Sequence, residues 1–162
     1  MSNIASRLVK EIRNGIPVYT LVGDFCYVTY KLHLEGEEWR WVTDLESAIL
    51  KELSLERPFS LIYRGVKPHQ LDDVLKNGSD IPNQRVGTDT WATQYLDKTF
   101  EAGGRASLPP IAIGEAPPED ILVMIYDRSG LRLRDMSDIY KFTFVKEPKE
   151  VLKGALLLKP VR

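Results

Sequence analysis

Ile4, Leu8 and Ile12 recur every four residues and Gly15 follows, a pattern that predicts an opening helix ended by a left-handed glycine. Pro17 then begins an extended run over residues 18–22, closed by Gly23-Asp24. Over residues 25–34, Cys26, Val28, Tyr30, Leu32 and Leu34 share one side of an extended chain, and Phe25, Tyr27, Thr29, Lys31 and His33 the other. Glu35-Gly36-Glu37 reads as a turn, and residues 39–42 as a third short strand with Trp39 and Trp41 on one side. Together these runs predict a small antiparallel meander. Thr43-Asp44-Leu45-Glu46 has the pattern of a capping box, with Leu45, Ala48, Ile49 and Leu53 on the inner side of the helix that follows. That helix stops near Arg57-Pro58, because the residue before a proline is pushed out of helical geometry.

The pattern changes after residue 58. Residues 59–65 form a largely apolar strand ending in Arg64 and Gly65. Pro68 suits the first turn of a helix whose inner face is Leu71, Val74 and Leu75, and Asn77-Gly78 ends it. Thr88 or Asp89 caps a further predicted helix carrying Trp91, Ala92, Tyr95 and Leu96, with Gly103-Gly104 as its stop. Residues 103–120 hold three glycines and four prolines and read as a long loop, a length usually tied to function or disorder. Residues 121–126 are continuously apolar and predict a central strand; residues 127–130 are a turn. Residues 139–145 alternate aromatic and polar groups, residues 146–150 interrupt them, and residues 155–159 form a last apolar strand. No repeat is evident. Strands and helices without regular alternation predict an α+β chain, with small mixed or antiparallel sheets and flanking helices.

The 162 residues allow one domain, or one domain with an appendage. Lys plus Arg number 22 and Asp plus Glu 23, so bulk electrostatic attraction to nucleic acid is not expected, although a local basic pocket remains open. No run approaches the roughly 18 apolar residues of a membrane span. Residues 1–10 lack the apolar run of a signal peptide, so a cytoplasmic location is expected. Cys26 is the only cysteine, which excludes an internal disulfide and a cysteine-based zinc cluster. His33 and His69 add little to a metal-ligand set; carboxylates alone could hold a hard cation, and no metal is expected.

Three places carry candidate chemistry. In Tyr63-Arg64-Gly65, an arginine at the end of a buried strand must be paired or face a cleft, and its planar fork suits phosphate or carboxylate. The ordinary alternative is an arginine that emerges into solvent or pairs with a nearby acid. In Thr88-Asp89-Thr90-Trp91, the hydroxyls suit a helix cap, and Trp91 and Tyr95 are either core or a stacking surface for a planar ring. Glu150, in Lys149-Glu150-Val151-Leu152, is either a solvated turn residue or a carboxylate able to stabilise a developing sugar cation.

In their order, Tyr-Arg-Gly on a strand, a Thr-x-Thr segment with downstream aromatics and Glu-Val-Leu near the C-terminus resemble the ADP-ribosyltransferase-fold family, in its arginine–serine–glutamate branch. The resemblance covers about 100 residues, from residue 59 onward. It implies a split-sheet core in residues 58–162, with residues 1–57 as an attached helix–meander–helix unit. It also implies NAD as substrate. Arg64 would grip NAD near its phosphates and ribose, the Gly65 backbone would hold the nicotinamide amide, and Thr88 and Thr90 would shape the site. Trp91 or Tyr95 would pack on nicotinamide, and Glu150 would be the catalytic carboxylate beside an oxocarbenium-like ribose. The activity implied is ADP-ribosyl transfer to a protein or nucleic-acid acceptor, or hydrolysis of NAD. One departure stands out. Family members that modify protein side chains usually carry Glu or Gln two residues before the catalytic glutamate, and here that position is Pro148. A non-catalytic binding protein on the same scaffold is the competing expectation, with exposed Trp39 and Trp41 as its signature. RNA 2'-phosphate transfer is the third, drawing on Lys146 and Lys149.

Overall fold

The computed structural model describes residues 4–28, 31–53, 60–80, 91–100, 116–136 and 139–161. The chain is α+β. Its centre is a five-stranded sheet ordered β1 (Val9–Arg13), β2 (Ile16–Gly23), β10 (Leu152–Pro160), β7 (Ile121–Asp127) and β5 (Leu61–Val66). Every neighbouring pair is antiparallel except β2 and β10, which run parallel. The hairpin of β3 (Phe25–Val28) and β4 (Lys31–Leu34) stands apart. A three-stranded sheet is ordered β6 (Trp91–Ala92), β9 (Ile139–Phe144) and β8 (Leu131–Met136). The helices are α1 (Ile4–Arg7), α2 (Trp41–Glu52), α3 (Leu71–Asn77) and α4 (Pro148–Val151).

The central sheet is buried on both faces, which explains why β7 is apolar at six successive positions instead of alternating. Ile121, Val123 and Ile125 enter one core, with Leu61, Tyr63, Leu156 and Leu158 from the adjoining strands. α2 and the β3–β4 hairpin supply Trp41, Leu45, Ile49, Phe25, Tyr27, Leu32 and Leu34 to the same core. Leu122, Met124 and Tyr126 enter the opposite core, with Ile62, Val66 and Leu157. α3, α4, β8 and β9 cover this second face through Val74, Leu75, Val151, Leu131 and Phe142.

Several expectations are corrected. The boundary at residue 57 does not separate two units, because β2 pairs with β10 from Val18↔Ala155 to Gly23↔Pro160 within one sheet. The opening helix is only α1, and the chain then extends into β1, where Val9 and Ile12 are exposed. Asn14 and Gly15 both have positive φ (52° and 77°), so this dipeptide turns a hairpin between β1 and β2 and does not cap a helix. Residues 25–28 and 31–34 fold back on each other, which buries Phe25 and Tyr27 with Leu32 and Leu34. Residues 39–42 are not a strand. α2 starts at Trp41, ahead of the expected cap at Thr43, because Trp41, Leu45, Ala48 and Ile49 make one buried stripe at helical spacing. The helix expected from Thr88 or Asp89 is contradicted at Trp91 and Ala92, which are strand β6, and a short 3-10 turn follows at Leu96–Phe100. Its expected caps, Thr88 and Asp89, lie outside the described residues, as does residue 90.

Candidate functional site

Arg64 lies on the face of β5 that also carries Ile62 and Val66. Its side chain is 15% exposed, and that of its partner Asp80 is 11% exposed. Nε and Nη2 of Arg64 each donate to a different Asp80 oxygen at 2.9 Å, a two-point fork. The guanidinium carbon also sits 5.9 Å from the centre of the Phe142 ring. Asp80 reaches this position because α3 ends at Gly78, whose φ of 83° reverses the chain.

Gly78 ties this charge pair to α4. Its carbonyl accepts a hydrogen bond of 2.9 Å from the Tyr126 hydroxyl. A β-carbon at Gly78 would overlap the backbone of Pro148 and Lys149. Close approach therefore requires glycine here, and it fixes the residue before Glu150 against the segment that bears Asp80. Burial pushes the Tyr126 hydroxyl pKa well above its ordinary value; Asp80 adds to the rise and Arg64 opposes it.

Register locates the rest. Tyr126 is opposite Leu152 on one side and Ile62 on the other. The start of β10, the end of β7 and the start of β5 thus share one end of the sheet. Glu150 lies two residues before Leu152, on α4, and is exposed. Arg128 lies two residues after Tyr126, and its Nη1 donates to Gln94 Oε1 at 3.0 Å. Arg64 is two residues along β5 from Ile62, about 6–7 Å at strand rise. Arg64 and the α4 segment of Glu150 therefore lie over the same face, with Asp80 and Gly78 between them.

The Gly65 peptide has a different surrounding. Tyr63 exchanges both backbone hydrogen bonds with Thr93, at 2.8 and 2.9 Å, on the edge of β5 turned away from β7. Strand period two aims the Gly65 N–H and carbonyl at that same edge. The Tyr63–Thr93 bridge is isolated, so no described strand continues the ladder to Gly65.

Of the expected residues, Arg64 and Gly65 are consecutive on β5, and Glu150 is on α4. Thr88 and Thr90 lie outside the described residues. Trp91 is in β6, opposite Lys141. Tyr95 is 36% exposed, and its N–H donates to Thr93 Oγ1 at 3.1 Å. Thr93 was not among the expected residues, yet it is the fully buried threonine next to Tyr63. Its signal was a hydroxyl residue directly after Ala92 at the end of a short β-prone run. Asp80, Gln94 and Arg128 also went unnoticed, because their pairings span 16 and 34 residues and leave no local pattern. Trp39 and Trp41 do not form an exposed pair: Trp41 is 1% exposed and stacks on Phe100 at 5.7 Å, while Trp39 is half-buried under Lys31.

Among the described residues no group of three or more His, Cys, Asp and Glu is placed to hold a metal ion. Among them, too, no helix is long and apolar enough to cross a membrane. Comparison with known proteins finds no matching family model, no similar curated protein and no similar solved structure.

Proposed function

We propose that this chain breaks the nicotinamide–ribose bond of NAD and passes the ADP-ribosyl group to an acceptor or to water. In the hydrolytic form, NAD and water give nicotinamide, ADP-ribose and a proton. The observation that carries the reading is that Asp80, paired with Arg64, follows two residues after Gly78, which packs on the Lys149 backbone, so a guanidinium and the segment of an exposed carboxylate meet on one face. Glu150 holds the nicotinamide ribose and stabilises its developing positive charge as the bond lengthens. In this reading Arg64 lies on the phosphate side of the site, its Nε and Nη2 held by Asp80. The Gly65 peptide would offer the nicotinamide amide a strand-like donor and acceptor on the edge of β5 turned away from β7. Pro148 fills the place where protein-modifying relatives of the resemblance carry Glu or Gln, which favours an acceptor other than a protein side chain.

The test is nicotinamide release on incubation with NAD, followed by proton NMR. Wild type is expected to release nicotinamide, and Glu150→Gln to do so about 100–1000-fold more slowly, the loss typical of one positioned electrostatic group. The variant should melt with wild type, because Glu150 is exposed. No release by wild type, or equal release by both, contradicts the proposal.

A further inference from the structure

A cleft of about 690 Å³ opens beside α4, lined by Arg13, Asn14, Asp72, Leu75, Lys76 and Lys149. Three elements build it. Arg13 and Asn14 come from the end of β1 and its turn, Lys76 from the last turn of α3, and Lys149 from α4. Its lining has three cations and one acid in a chain of net charge -1. The acid is already engaged: Arg13 Nη2 lies 2.6 Å from Asp72 Oδ1. Among the described residues, Lys76 and Lys149 have no ion-pair partner, so two uncompensated positive charges face one space.

Three features frame the cleft. The two positive φ values at Asn14 and Gly15 define a tight hairpin turn. The Arg13–Asp72 pair ties that turn to α3. The packing of Gly78 on the Lys149 backbone sets the spacing between the two lysine-bearing segments. Leu75, buried, gives the cleft an apolar floor. Like charges lining one cleft repel each other, and an anion between them offsets the repulsion. Lysine is a point charge suited to phosphate, and Arg13, which engages Asp72 through Nη2, has other guanidinium N–H groups that make it a directional donor.

We infer that this cleft binds a phosphate dianion, either free or as a phosphomonoester. The inference does not depend on NAD chemistry. It assigns Lys76 and Lys149 as the two arms of the site and Arg13 as its third donor.

The test is titration of the full chain with inorganic phosphate and, separately, with glycerol 3-phosphate, read by amide NMR shifts. Saturable shifts at residues 13–15, 75–77 and 149 are expected. Glycerol 3-phosphate binding at least as tightly as phosphate assigns the site to a phosphomonoester; the reverse order assigns it to the free ion. The double variant Lys76→Ala/Lys149→Ala should weaken binding about tenfold or more while keeping the wild-type melt, since both side chains are exposed. Lys76→Glu/Lys149→Glu should abolish it. Linear, unsaturable shifts in wild type, or equal affinity in the alanine variant, would overturn the inference. Nicotinamide release and phosphate binding are read by separate measurements on the wild-type chain, so a failure of the NAD proposal and a failure of this one can be told apart.

Discussion

Tyr63 and Arg64 are neighbours on β5 that enter opposite faces of the central sheet and meet opposite chemistries. Tyr63 enters a core closed by rings, where Trp41 stacks on Phe100 with planes 18° apart and tilts against Phe25 at 5.7 Å. Arg64 enters a core that closes around a charge, with Asp80 in its fork and the Phe142 ring over the guanidinium. The first face is sealed by α2 and the hairpin. The second ends in α4, with Glu150 exposed at its edge. The difference shows how one sheet can be anchored on one side and carry ionic chemistry on the other. Apolar burial is non-directional, whereas a buried guanidinium is held only by a partner in the right place.

The largest expected effect tests the anchored face. Trp41→Ala should cost about 3–5 kcal/mol in a denaturant melt, through lost burial and the cavity left beside Phe100. A cost below that of disrupting the Arg64–Asp80 pair would reverse the comparison. Asp80→Ala comes next. It strands a mostly buried guanidinium and should cost about 3 kcal/mol, while Arg64→Met/Asp80→Leu should recover most of the loss. Should the double replacement be as unstable as the single, the pair is not an isolated charge problem, and Asp80 serves some other role.

A smaller effect probes a carboxyl on the sealed face. Burial raises the Glu46 pKa above its ordinary value, Asp97 adds to the rise, and the nearby Tyr63 hydroxyl and Leu96 backbone oppose it. A carboxyl with a raised native pKa holds its proton more tightly in the folded state than in the unfolded one. Its contribution is therefore most favourable at acid pH and is lost as pH rises from 4.5 through the raised value. Glu46→Gln should flatten that fall and raise the melting midpoint at pH 7 by about 1–3 °C. A midpoint that falls at pH 7 would mean that the ionised carboxylate stabilises the face.

The parts of the fold legible in the sequence are those set by local pattern. The unbroken apolar run of β7, the inner face of α3 with Pro68 before it and Gly78 after it, and the strand ending in Arg64-Gly65 all follow from neighbours along the chain. The parallel pairing of β2 with β10 joins residues more than a hundred positions apart, and no local signal encodes it. Ile4, Leu8 and Ile12 imitate a helix by spacing alone, whereas Asn14-Gly15 carried the correct hairpin signal. Trp91 and Ala92 are too short a run to tell strand from helix by periodicity, and the β9 partner decides. Within the candidate site, Arg64 and Glu150 were visible as residue types in a motif order. Asp80 was not, since a carboxylate just past a helix end looks like any polar loop residue until the fold brings Arg64 to it.

The most direct measurement of the central claim maps NAD onto the two faces. Amide shifts of the Glu150→Gln chain should be recorded as NAD is added, so that turnover is slow. The account predicts saturable changes at Gly65, residues 78–80, Gln94, Arg128 and residues 149–151, with β3 and β4 silent. Changes confined to α2 and the β3–β4 hairpin, or none at high NAD, would contradict it.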